Sequence, residues 1–305
     1  MDGNTLQQHT LEELEHRLDE LPLLPAVIAR LLAMSPDDPD YFDQVLELAG
    51  ADPTLSMRII RLSNSATNAP VREITTLQEA IVRIGSREIA GLITALALMR
   101  VFTPTTQGQN NLWIHSVEVA ATSRAIARLE PDLGVDPEQA YLCGLLHDIG
   151  RFVLFGDSPE EIGRIDESDW HTPAQLIWKE REISGFDHAE LGWHACRKWD
   201  LPEQVTRVVQ HHHVYSNLED VVPGRMLYNL VQVVQMADFF SIHAIRNTNL
   251  TELSPDVLVE SLSANCIHPL WENPPTTAEK LAGKVSRILE ETALIADGLG
   301  LTGHQ

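Results

Sequence analysis

The chain has 305 residues, and its 22 Lys+Arg against 44 Asp+Glu give a formal net charge of −22 at pH 7. Hydrophobic residues make up 44% and charged residues 22%, a balance that supports a packed core and excludes a disordered chain. The acidity excludes broad contact with nucleic acid or an anionic membrane, because phosphate recognition needs clustered Lys and Arg, but it leaves room for a small cationic pocket built by a bound metal.

Helical spacing dominates from the first residues, and alternating β-branched runs are scarce. Leu6, Leu11, Leu14 and Leu18 form one stripe and predict a helix within residues 1–20. This segment is polar and acidic, which does not suit a secretory signal. Helices are expected at 25–33 and 40–49. Asp52-Pro53 then caps a helix over 52–63, with Leu55, Ile59 and Leu62 on one face. Asn64 and Ser65, at its end, are expected to hydrogen-bond backbone groups and fix a turn. Leu77, Ile81 and Ile84 continue the pattern to Gly85, read as a helix C-terminus, and the next helix runs over 86–101. Its apolar stretch, 89–99, is well short of the ~20 residues a membrane helix needs.

The polar run 103–111 (TPTTQGQNN) is expected to divide the chain. Beyond it, helices are predicted at 112–129, 137–154, 171–183, 187–199, 203–213, 223–243, 255–264 and 276–297. The result is an all-α fold in four parts: an N-terminal helix (1–20), an N-terminal helical subdomain (21–102), a metal-binding helical subdomain (103–245) and C-terminal helices (246–305). Three separated cysteines, Cys143, Cys196 and Cys266, make no disulfide framework. They fit a reducing compartment, so a cytoplasmic protein is expected.

Among 13 histidines, the sharpest element is Leu145-Leu146-His147-Asp148-Ile149-Gly150, an imidazole and a carboxylate side by side at the end of an apolar helix. An ionised Asp in such a setting is expensive unless it is paired or binds a metal. His115, His188, the run His211-His212-His213 and Asp238 supply matching groups on other apolar helices. Taken singly, each reads as an ordinary polar residue or a solvated helix end. Together, His115, His147, Asp148, His188, His212, His213 and Asp238 outnumber the needs of one ion and suit two that share Asp148. Imidazole and carboxylate donors without thiolate favour Fe or Mn, with Zn or Ni as further options. Trp113, Trp193 and Trp199 flank these residues and are read as packing that shields them.

The chain resembles the HDOD group, the signalling-output branch of the HD superfamily. The resemblance rests on Leu21-Pro22-Leu23-Leu24-Pro25, Asp52-Pro53-Thr54-Leu55, Arg61-Leu62-Ser63-Asn64-Ser65-Ala66, Leu77 through Gly85, Gly144 through Gly150 and Trp199-Asp200-Leu201-Pro202. The metal-ligand series resembles, in order and spacing, that of the HD-GYP cyclic-dinucleotide phosphodiesterases. Counting from Trp199 places the paired histidines at 212 and 213, with His211 the alternative to His213. Three departures matter. Arg151 stands where a lysine is expected, and it can clamp a phosphate but cannot deliver a proton. Val214-Tyr215-Ser216-Asn217 replaces the GYP segment. Asn111 stands where some relatives carry a glutamate for a third metal, so two ions are expected.

The resemblance implies a signal-transduction protein that acts on a partner such as a kinase, a cyclase or a response regulator. The alternative is a metal-dependent phosphohydrolase acting on a nucleotide or cyclic dinucleotide, with Asp148 and Arg151 as catalytic residues and a phosphate-containing small ligand. A di-iron oxygenase is a third reading.

Overall fold

The computed structural model of the protein describes residues 16, 18–64, 72–157, 159–166, 168, 170, 172–267 and 274–301. All regular structure among them is helical, so the fold is all-α. Most of the helix expected within 1–20, and Ser65, lie outside the described residues.

Helices α1 (Ala26–Ala33), α2 (Tyr41–Gly50), α3 (Pro53–Ser63), α4 (Leu77–Ile84) and α5 (Ser86–Val101) pack on one another, with α5 touching each of the other four. Asp52 caps α3, accepting from the Leu55 N–H at 3.3 Å. Asn64 acts as a staple. Its amide nitrogen donates to Ile60 O at 3.1 Å and Ile74 O at 2.7 Å, and its oxygen accepts from the Ile74 N–H at 2.9 Å. Gly85 alone separates α4 from α5, at φ +113°, a backbone conformation that suits glycine.

The next helix begins earlier than expected. Helix α6 (Gln107–Leu129) takes in residues 107–111, which the sequence reading assigned to a linker. Thr106 accepts from the Gln109 N–H while the Gln109 side chain accepts from the Thr106 N–H. This capping box satisfies the first orphan donors and starts the helix there. Helix α6 is the centre of the fold. It packs against α7 (Pro137–Leu146), α14 (Arg225–Arg246) and α17 (Val285–Leu299).

The predicted helix 137–154 is two helices. Helix α7 ends at Leu146 and α8 (Ile149–Asp157) starts three residues later, with His147 and Asp148 in the turn. Close packing explains the bend. A Cβ on Gly150 would lie 1.9 Å from the carbonyl oxygen of His188, so α8 meets α11 (His188–Lys198) backbone to backbone. A Cβ on Gly144 would lie 2.9 Å from Val119 O, so α7 meets α6 the same way.

Two short helices were not expected: α9 (Pro159–Asp166) and α13 (Leu218–Val221). Between them lie α10 (Pro173–Ser184), α11 and α12 (Glu203–His211). Helix α10 stops at Gly185, at φ +84°. After α15 (Pro255–Asn265), the expected helix 276–297 is also divided, into α16 (Pro274–Ala282) and α17, with Gly283 and Lys284 between them. Glycine weakens a helix interior, and here it releases the chain to turn. Helix α17 returns to α3, where Arg58 donates to Gly298 O at 2.9 Å.

Candidate metal centre

Five helix ends or interiors deliver the predicted residues to one place. His115 comes from the middle of α6, His147 and Asp148 from the α7–α8 turn, and His188 from the first position of α11. His212 and His213 follow α12, and Asp238 lies inside α14. The side chains of His147, Asp148, His188, His212 and Asp238 are buried.

The ring atoms face inward. His115 Nε2 lies 3.2 Å from His147 Nε2, 3.4 Å from Asp238 Oδ1 and 3.7 Å from Asp148 Oδ2. His188 Nε2 lies 3.1 Å from Asp148 Oδ1, 3.2 Å from His212 Nε2 and 3.0 Å from His213 Nε2. Two donor sets result. His115, His147 and Asp148 form one; Asp148, His188, His212 and His213 form the other. Asp148 belongs to both. His211 belongs to neither: its Nε2 is buried without a hydrogen-bond partner.

The outward ring nitrogens fix the tautomers. His147 Nδ1 is 2.8 Å from Gly144 O, and His212 Nδ1 is 2.8 Å from Val209 O. A carbonyl only accepts, so each Nδ1 carries the proton and each Nε2 presents a bare lone pair to the centre. His188 Nδ1 is held by Glu180 Oε2 at 2.6 Å, and the same oxygen accepts from the His188 N–H at 3.0 Å. His115 Nδ1 is 3.0 Å from Ser241 Oγ, which donates to Glu118 at 2.6 Å. Lone pairs crowded at about 3 Å repel unless a cation sits at their focus. Asp238 Oδ2, buried with no partner, has the same need. The donor chemistry and this orphaned oxygen both fit a metal.

The protonation pattern expresses the same demand. Burial lowers His115 to about 4 and His147 to about 3. Burial alone would lower His188 as well, but the Glu180 and Asp148 carboxylates raise it to about 10. Burial would raise Asp148, yet His147 and His188 hold it well below the usual carboxylate range. Asp238 is pushed up to about 8 by burial and then by the Asp148 charge.

Arg151, on α8, is buried and engaged by Asp166 and by Glu180, whose Oε1 is 3.5 Å from its Nε. A cavity of about 290 Å³ reaches the centre from outside, touching His115, Asp148, Arg151, His213 and Asp238 and walled by Trp170 and Ile242. Asn111 lines the same cavity. Trp113 is buried, donates to Phe102 O at 3.0 Å and packs on Phe152. Trp199 donates to Pro22 O at 2.9 Å.

Sequence reasoning missed four supporting residues: Glu180, Glu118, Ser241 and Asp166. Glu118 carried a signal, since it lies three positions after His115 on one helix face. Burial raises its carboxyl to about 7, against the pull of Ser241.

A family model described as HDOD domain matches residues 21–215. An uncharacterized protein of Treponema pallidum is 25% identical over 199 residues, which is 65% of this chain and 38% of that protein. The chain therefore spans less than half the length of this relative. A solved structure from Shewanella amazonensis, named "Putative phosphohydrolase", is similar with a TM-score of 0.68 and 26% identity, covering 93% of this chain and 98% of that one. An HDOD domain protein from Geobacter sulfurreducens shares the fold with a TM-score of 0.69 and 23% identity, covering 97% and 99% of the two chains.

Proposed function

The chain belongs to the HDOD family, and on that premise we propose that it is a signal-transduction regulator whose HD-type centre holds two divalent metal ions. The observation that carries this reading is the pair of donor sets joined at Asp148, with ring lone pairs turned toward one another. His115, His147, Asp148 and Asp238 are assigned to one ion, and Asp148, His188, His212 and His213 to the other. Iron or manganese suits these donors best, with zinc or nickel as further options. Two such ions would bring +4 against two carboxylates and could polarise a phosphoryl oxygen or acidify a bound water.

The state of Arg151 favours regulation over turnover. Asp166 and Glu180 engage its guanidinium within the protein, so it holds α8 to its neighbours instead of standing free to clamp a substrate. Output would pass by surface contact to a signalling partner, a kinase, a cyclase or a response regulator. The cavity beside the centre supports the second reading, a metal-dependent phosphohydrolase. Its volume, about 290 Å³, falls just below the span of about 300–1,000 Å³ usual for ligand pockets, and suits a small phosphate-bearing ligand better than a cyclic dinucleotide.

Elemental analysis of anaerobically purified protein tests the centre. Close to two first-row ions per chain are expected, and Asp148→Ala should lose most of both. Protein made with iron and manganese supplied that carries neither would end the proposal. Metal-dependent release of product from a nucleotide or phosphoester panel would move the assignment to the enzyme; background rates with metal restored would leave the regulator.

A further inference from the structure

We infer that the cleft between α1, α3, α5 and α17 is a binding site for a free single-chain aliphatic carboxylate, its tail among the apolar side chains and its head on Arg58. The cleft has a volume of about 660 Å³, well inside the range of about 300–1,000 Å³ for pockets that bury small molecules. Val27, Leu55, Ile93, Leu96, Met99 and Leu299 supply most of its apolar wall. The cleft is formed away from the metal centre and shares no lining residue with the cavity there.

Charge selects the head group. In a chain of net charge −22, the cleft is lined by three arginines, Arg30, Arg58 and Arg100, and one acid, Asp52. Arg30 has Glu47 at 3.4 Å, and Arg100 is paired with Asp52. Arg58 is different. It is half-buried, and its hydrogen-bond partner is the Gly298 carbonyl at 2.9 Å. No carboxylate among the described residues lies within ion-pair reach of it. A cation beside apolar walls, partly withdrawn from water and lacking a counter-charge, attracts an anion more strongly than an exposed one does. Guanidinium also presents a fork of donors matched to a carboxylate. An amphiphile with one anionic head and one hydrocarbon tail satisfies both features together; a neutral or cationic amphiphile satisfies only the walls.

The test is calorimetric titration of the full chain, below micellar concentrations, with decanoate, hexanoate and decyltrimethylammonium. Decanoate should bind saturably, one per chain. Decyltrimethylammonium should bind at least tenfold more weakly, and hexanoate, four methylenes shorter, roughly a hundredfold more weakly. Arg58→Gln should weaken decanoate at least tenfold and leave the ammonium within threefold, while Arg58→Lys, which keeps the charge but not the fork, should bind decanoate more weakly than the parent and more tightly than Arg58→Gln. Metal content should not change in either variant, which separates this site from the centre. Should Arg58→Gln fail to fold, the head-group comparison and Arg58→Lys still decide. Equal affinity for the two ten-carbon amphiphiles, no loss in a folded Arg58→Gln, or no decanoate uptake would overturn the inference. Binding to anionic vesicles without binding of decanoate would do the same, in favour of a membrane surface.

Discussion

Glu180 joins three helices with one carboxylate. One oxygen accepts twice from His188, and the other faces the Arg151 guanidinium. The group is fully buried, so its charge counts for far more than that of an exposed Glu. Glu180→Ala would leave His188 unanchored and Arg151 with Asp166 alone. Breaking a buried ionic contact from one side typically costs about 3–5 kcal/mol, and loss of a ligand's outer partner typically costs ~10–100-fold in metal affinity. Chelator competition and a denaturant melt measure both. A variant that keeps parental metal affinity would show that Glu180 is not what orients His188. Nothing in the letters announced this residue. It sits in Lys179-Glu180-Arg181-Glu182, a run that reads as a solvated face, and only the return of α11 over it makes it interior. The candidate ligands were legible for the opposite reason. His147, Asp148 and Asp238 interrupt apolar helical runs, and a polar residue there conflicts with its own surroundings.

At the scale of elements, the turn between α7 and α8 decides where His147 and Asp148 point. The sequence reading ran one helix through it, because Ile149, Phe152, Val153 and Leu154 continue the apolar pattern of Leu145 and Leu146. Periodicity cannot register a change of axis when both sides are buried. Gly150 was the available cue, and its role depends on a partner backbone 38 residues later. Gly150→Ala would drive a methyl into the His188 carbonyl, which cannot yield without moving α11. A loss of about 3 kcal/mol or more is expected, along with lower metal content, read by thermal melt and elemental analysis. A melt within about one degree of the parent would refute the backbone contact. The start of α6 was readable in principle. Thr106 and Gln109 have capping-box spacing, but the polar run around them resembled a linker. Gly85 and Asp52-Pro53 were read as the punctuation they are, because each acts within its own turn.

For the whole molecule, charge is the dominant excess. With 44 acids and 22 Lys+Arg, at least half of the carboxylates lack a Lys or Arg of their own. Exposed pairs such as Arg61–Asp297 contribute ~0–1 kcal/mol each and do not offset the mutual repulsion. Salt shortens the reach of that repulsion from roughly 30 Å at 0.01 M to about 8 Å at 0.15 M. Melting temperature should therefore rise by a few degrees over that interval; a fall would mean that the ion pairs outweigh the repulsion. Helix α17 adds a different kind of constraint. Arg124, buried on α6, lies over the Tyr141 ring and is matched by Glu138 and by Glu291 of α17. A nascent chain that has emerged only as far as α16 exposes the flank of α6 that α17 will cover, and leaves that guanidinium short of one partner. The side of α6 around Arg124 therefore closes only when α17 packs on it, so the central helix of the fold takes its final surroundings from an element more than 150 residues further along the chain.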